Sequence, residues 1–234
     1  MLFTALLPMG GLAHTTDTQL TFSRNSRSLA SDTSSTEENL SVRRNHAKEL
    51  LGKYYRKSVV RQGEKVPEMN SFIYEWTSRA LETRWQKYSN SITKTIMVES
   101  KKYGFDPVFL MAVIQNESSF NPEIIGSFGE IGLMQITPET GKWMAHKYNI
   151  PWHGAKSLKD PVVNITLGSA YLSYLREKFD FRSQLYLAAY NMGSRNVQRA
   201  LARQVWPKQY PSRVMQRYVG FYTKLSEETH HAMN

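Results

Sequence analysis

Apolar residues recur at helical spacing through most of the chain, and no alternating run reads as a strand longer than four residues. The pattern predicts a mostly helical protein with at most a small ribbon around 125–136. Between 37 and 65, Leu40, Ala47, Leu50, Leu51 and Tyr54 form one apolar stripe. Arg43, Arg44, Lys48, Lys53, Arg56, Lys57 and Arg61 crowd the rest of that helix, and Gly63 to Pro67 breaks it. Phe72, Ile73, Trp76, Leu81, Trp85, Ile92, Ile96 and Met97 predict a second helix over about 71–102. That is long for a globular helix, so a break is expected near Ser89-Asn90-Ser91. Tyr103-Gly104 supplies its stop, with glycine in the left-handed position.

The next helix starts at Asp106-Pro107, with Asp as cap and Pro where its missing N–H costs nothing. Val108, Leu110, Met111, Val113 and Ile114 make it apolar over most of its circumference, which predicts burial. Further starts fall at Thr137-Pro138 (to about Tyr148) and Asp160-Pro161 (to about Phe179). Ser183 is expected to cap a helix ended by Asn191-Met192-Gly193, and Ser194 the one reaching Arg203. The last helix is expected over about 212–227.

Glu117 stands out on this map. At about 1.5 Å per residue it lies some three turns into the buried helix, at its C-terminal end, with Asn121-Pro122 closing the segment. The negative end of the helix dipole and the desolvation expected beside Phe120 both favour the protonated acid. A carboxyl whose pKa is raised in this way suits general acid chemistry near neutral pH. On type alone, a solvated glutamate at a helix end explains the residue equally well. After it, glycines at 126, 129 and 132 set an irregular loop where backbone can approach a ligand. No Gly-Lys-Ser/Thr follows, which excludes a phosphate loop.

Composition narrows the classes. There is no cysteine, so disulfides, Cys-ligated metals and a lipoprotein anchor are unavailable. The six histidines are scattered, and His230-His231 has no spaced partner, so neither metal nor cofactor is expected. The net charge of +10 points to an anionic partner. A nucleic acid would satisfy the charge, but no nucleic-acid motif accompanies it. Residues 1–13 resemble a short signal-peptide h-region without a basic leader, and 14–36 read as a disordered linker. The organisation expected is a basic helical extension over 37–84 and a catalytic domain over 85–227. The extension either docks on an acidic polymer or membrane surface or lies against the main domain.

Three strings carry a resemblance. Glu117-Ser118-Ser119-Phe120-Asn121-Pro122, Gly132-Leu133-Met134-Gln135-Ile136-Thr137-Pro138 and Ala189-Tyr190-Asn191-Met192-Gly193 resemble, in order and spacing, signatures of the soluble-type lytic transglycosylases. These are relatives of goose-type lysozyme. The resemblance spans about 87–224 and implies a lysozyme-like helical fold. It implies cleavage of peptidoglycan between N-acetylmuramic acid and N-acetylglucosamine, closing a 1,6-anhydro ring. Glu117 would serve as acid and then base, and Tyr190 would orient or polarise near the acetamido group or Glu117. Ser118, Met134, Gln135 and Asn191 would shape and hydrogen-bond the glycan cleft. By type, Tyr190 and Met134 are equally at home in a core, and Gln135 and Asn191 in local backbone bonding.

The implied partner is the glycan strand, met by a monomer exported to the periplasm or envelope of a bacterium, whose anionic surface also suits the charge. A single-carboxylate mechanism agrees with composition, because no acid occurs between Asp180 and Glu227 while eight Lys or Arg do. There are two departures. A late E-T-R-x-Y-V string of many members aligns its tyrosine with Tyr218, which puts Val214 at the place of its glutamate. Gly129-Glu130 replaces a more usual Gly-Ala. A muramidase using water, and a non-catalytic wall-binding protein, remain the rival readings.

Overall fold

The computed structural model describes residues 37, 39–63 and 69–232, with side chains to residue 228. The expectations for 1–13 and 14–36, for the break at Pro67 and for the side chains of His230-His231 lie outside the described residues. The described elements are α1 (39–51), α2 (Val59–Gly63), α3 (Met69–Ala80), α4 (Ser89–Tyr103), α5 (Pro107–Glu117), α6 (Pro138–Tyr148), α7 (Pro161–Lys178), α8 (Ser183–Met192), α9 (Ser194–Ala202) and α10 (Gln209–Ala232). Tight 3-10 turns occupy Gly52–Lys57, Thr83–Tyr88 and Ala155–Lys159. Among the described residues, strand pairing is confined to the bridges Ile125–Ile131 and Ile131–Ile136.

α5 is the axis of the fold. Every residue from Val108 to Ile114 is fully buried, as its all-round apolar surface requires. α10 lies along α5, α4 packs between α3 and α7, and α7 also carries α6 and α8. Asp106 caps α5 by accepting from Val108 N–H at 2.9 Å. Gly104 ends α4 at φ 67°, a conformation that costs a glycine little.

Some boundaries differ from those the sequence suggests. The break in the 71–102 segment spans Leu81–Tyr88, ahead of Ser89. It lets α3 turn Phe72 and Trp76 onto Phe221 of α10, while Ile92 and Ile96 of α4 reach the core elsewhere. One straight helix could not bury both faces. Ser183 and Ser194 are not caps but first helical residues, behind Arg182 and Gly193. The backbone carbonyl of Arg182 accepts from Leu185 and Tyr186, and Ser194 Oγ accepts from Lys178 Nζ at 3.1 Å. α10 begins at Gln209 rather than at Ser212, because Pro211 is tolerated in a first turn.

Of the two expected arrangements, the N-terminal extension adopts the one that lies against the main domain. Residues from Asn39 onward form one compact unit, with no division near 84. α1 buries Arg43, His46, Ala47 and Leu50 on one face, whereas Tyr54 is 68% exposed and Tyr55 is buried in its place. Arg43 is therefore not part of a solvated basic stripe; it contacts the Tyr222 hydroxyl at 3.3 Å. The backbone N–H of Asp106 donates to His46 Nδ1 at 3.0 Å. That makes Nδ1 an acceptor, so the ring is neutral and its Nε2–H points to Tyr186 Oη at 3.3 Å. Burial, then the Arg176 charge, hold the His46 pKa well below the usual range. Glu49 on the same helix receives the Arg176 guanidinium at 3.0 Å.

Candidate active site

The last residue of α5 is Glu117. Beyond it the chain turns sharply through Ser119 (φ 51°) and Phe120 (φ 64°), left-handed conformations that are uncommon for residues with a side chain. Phe120 is 1% exposed and anchors the turn. The next loop folds back so that Gly132 N–H meets Ile124 O at 3.0 Å and Gly126 N–H meets Glu130 O at 2.8 Å. Asn164 of α7 locks this loop, donating to Ile131 O and Leu158 O at 2.8 Å and accepting from Met134 N–H at 2.7 Å. A Cβ at Gly132 would sit 2.5 Å from both Asn164 Nδ2 and Leu158 O, which is why this position must be glycine.

These elements enclose a cleft of about 420 Å³ whose walls include Glu117, Glu130, Gln135, Thr140, Tyr171, Tyr190 and Asn191. Four of the six sequence-derived candidates thus meet at one place. Gln135 is held at φ 47°, its Nε2 donating to Ile124 O at 3.1 Å and Gly132 O at 3.0 Å. Tyr190 donates to Met134 O at 2.8 Å, and Asn191 is exposed at the rim.

Ser118 and Met134 do not present side chains to the cleft. Ser118 is buried and its hydroxyl is committed to Leu133 O at 2.8 Å and Ile114 O at 3.2 Å. Met134 is fully buried against Gly168, where an added Cβ would lie 2.5 Å from its sulfur. Both brace the cleft from behind. Val214, at the late-acid position, is fully buried packing, and Tyr218 donates to Asp106 at 2.8 Å away from the cleft.

Glu117 is half-buried, and burial raises its pKa above the ordinary carboxylate value. Donation from Tyr210, an interaction with Asn116 and the Arg213 charge pull it partly back, while Glu130 adds a small push upward. Tyr210, which the sequence pattern did not single out, donates directly to Glu117 Oε1. It is 4% exposed and stands one turn before Val214 on α10. The missed signal was Pro211 as a first-turn residue, which would have drawn Tyr210 into the helix. Because the Tyr210 hydroxyl favours the ionised carboxylate, Tyr210→Phe is expected to raise the Glu117 pKa further. The alkaline limb of a pH–rate profile should then move to higher pH, and an unmoved limb would remove Tyr210 from the site.

The family model for the transglycosylase SLT domain matches residues 94–212, just over half of the chain. The chain belongs to this family. Among SLT-domain relatives, it is 36% identical over 90 residues to the soluble lytic murein transglycosylase of Escherichia coli (strain K12), covering 38% of this chain and 14% of that protein. It is 32% identical over 133 residues to membrane-bound lytic murein transglycosylase C of Sodalis glossinidius, covering 53% of this chain and 36% of the relative. The chain therefore spans well under two thirds of these relatives. The X-ray structure of an inactive mutant of lytic transglycosylase Slt from Pseudomonas aeruginosa superposes with a TM-score of 0.53 at 27% identity, over 72% of this chain and 30% of that one. A complex of the 70-kDa soluble lytic transglycosylase with bulgecin A has the same fold at TM-score 0.53 and 20% identity, over 76% and 32% of the two chains. The SLT-domain fold here is the lysozyme-like helical one. No described helix is long and apolar enough to cross a membrane.

Proposed function

We propose that this SLT-domain chain is a peptidoglycan lytic transglycosylase of the bacterial envelope, with Glu117 as the group that moves the proton. The observation that carries this reading is a half-buried carboxyl with a raised pKa, hydrogen-bonded by Tyr210 and facing a polar cleft shared with Gln135, Tyr190 and Asn191. Protonated Glu117 donates to the oxygen between N-acetylmuramic acid and N-acetylglucosamine as the C1–O bond breaks. The acetamido oxygen of the muramyl residue stabilises the electron-poor C1. The carboxylate then takes the proton of the C6 hydroxyl, whose oxygen closes on C1 to form the 1,6-anhydro ring. The acid is restored without water entering, so one group serves both steps. Tyr190 has its own proton committed to Met134 O and offers lone pairs toward the cleft. It acts there by orienting the acetamido group.

Glu130 favours one competing reading. It lies in the same cleft, and a second carboxylate is what a hydrolysing glycosidase uses. Its Oε2 accepts from Phe128 N–H at 3.0 Å, which makes it a brace of its own loop. Mass spectrometry of digested cell walls separates the readings. Anhydromuramyl ends are expected, and reducing muramyl ends would establish the hydrolase.

A further inference from the structure

The cleft does not stop at Tyr190. Its wall contains Thr140 of α6 and Tyr171 of α7. One turn further along each helix stand Trp143 and Tyr174, on the same faces as the cleft residues. The rings form a continuous run. Tyr190 and Tyr171 have centroids 5.5 Å apart, Tyr171 and Trp143 6.3 Å, and Trp143 and Tyr174 4.8 Å. Trp143 stands at 74° to Tyr171 and 84° to Tyr174, clamped between them, yet 42% of it is exposed. Another turn along, Lys147 of α6 and Lys178 of α7 bring their ammonium groups to 5.5 and 5.6 Å from the Tyr174 ring. Lys178 is further steadied by Ser194, next to the Gly193 that lines the cleft.

We infer that Trp143, with Tyr171 and Tyr174, is an outer saccharide-binding surface that takes further sugar units of a glycan strand whose reacting bond lies at Glu117. This extends the transglycosylase reading above and rests on it. The chemistry of the surface matches such a ligand. Sugar rings have apolar C–H faces bordered by hydroxyls, and a rigid aromatic that is apolar on one side and wet on the other binds them at little cost in side-chain entropy. A ring needed only to seal α6 against α7 would gain most from full burial. The two lysines at the far end suit the carboxylates carried by peptide stems on the same strand. Contact with the cleft sets the occupant: Trp143 packs on Tyr171, itself a cleft residue, so a strand lying along Tyr190 and Tyr171 is led onto Trp143.

The test uses the full chain carrying Glu117→Gln, which holds substrate without cutting it, and calorimetric titration with N-acetylglucosamine oligomers of two and of six units. Adding Trp143→Ala is expected to weaken binding of the hexamer about tenfold and leave the dimer unchanged. Trp143→Leu keeps the α6–α7 seal, so it should give the same length-dependent loss if the alanine variant fails to fold. An unchanged hexamer affinity, or an equal loss for dimer and hexamer, overturns the outer surface. Should the Glu117→Gln chain with Trp143 intact bind neither oligomer, the outer surface falls, while the transglycosylase reading stands or falls separately on the anhydromuramyl ends of digested walls.

Discussion

Glu117→Gln is expected to reduce glycan cleavage by about 10⁴-fold, the upper end for a positioned acid–base group, because in the proposed mechanism one carboxyl serves both proton transfers. The fold should survive. Gln is nearly isosteric and can still accept from the Tyr210 hydroxyl that now reaches Glu117 Oε1. Stability should show the opposite trend to activity. Burial raises the Glu117 pKa in the folded protein, so this residue favours the native state below the ordinary carboxylate pKa. That contribution disappears as pH rises through the folded value, where ionising the half-buried group costs stability. Relative to the parent, the Gln variant should therefore melt higher at pH 8 than at pH 4. Release of soluble muropeptides and thermal melts at the two pH values check both halves. Clearing of cell walls within about tenfold of the parent would exclude Glu117 as the proton donor, whereas no clearing by the parent itself would favour a non-catalytic wall-binding protein.

Asp106→Ala carries the largest expected cost in stability. This carboxylate caps α5 and also accepts from Tyr218 at 2.8 Å and Tyr222 at 2.6 Å, with Arg43 alongside. Removing it leaves a buried guanidinium without its counter-charge and two buried phenols without an acceptor. The loss expected is ~3–5 kcal/mol, from about 1 kcal/mol for the helix cap and about 1–3 kcal/mol for each buried phenol left without an acceptor. At ~2–4 °C per kcal/mol for a chain of this size, the melting temperature should fall by ~6–20 °C. Asp106→Asn keeps an acceptor for the helix cap and should lose less. A melting point within a few degrees of the parent for Asp106→Ala would mean that α1 is not held to the core through this network. The same network bears on the extension. Removing α1 would strip Arg43, His46 and Glu49 from Asp106, Tyr186 and Arg176, so truncation to residue 65 should destabilise the domain rather than leave it intact.

The chemistry of this site is local in sequence to an unusual degree, and for that reason much of it was legible. Asp106-Pro107 and the all-apolar run behind it specify a buried helix with Glu117 at its end, because capping and all-round hydrophobicity act within a few residues. Glycine spacing marked the loop after it, and Asn164 then shows why Gly132 admits no side chain. Residue type was a weaker guide to which way a side chain points. Ser118 and Met134 sit within the matched strings, yet packing turns them inward, while Gln135 between buried neighbours faces the cleft.

By itself, the sequence determined the helical class, the position of the acid at the end of a buried helix, and the order of three strings that frame a cleft. These follow from periodicity, caps and turn residues, whose physics is short-ranged. Only the tertiary structure decided that Tyr210, ninety-three residues away, would hold the acid, that α1 belongs to the core, and that Trp143 packs on the cleft residue Tyr171. Each of these depends on which faces of distant helices meet, a choice made by burying the whole apolar surface at once.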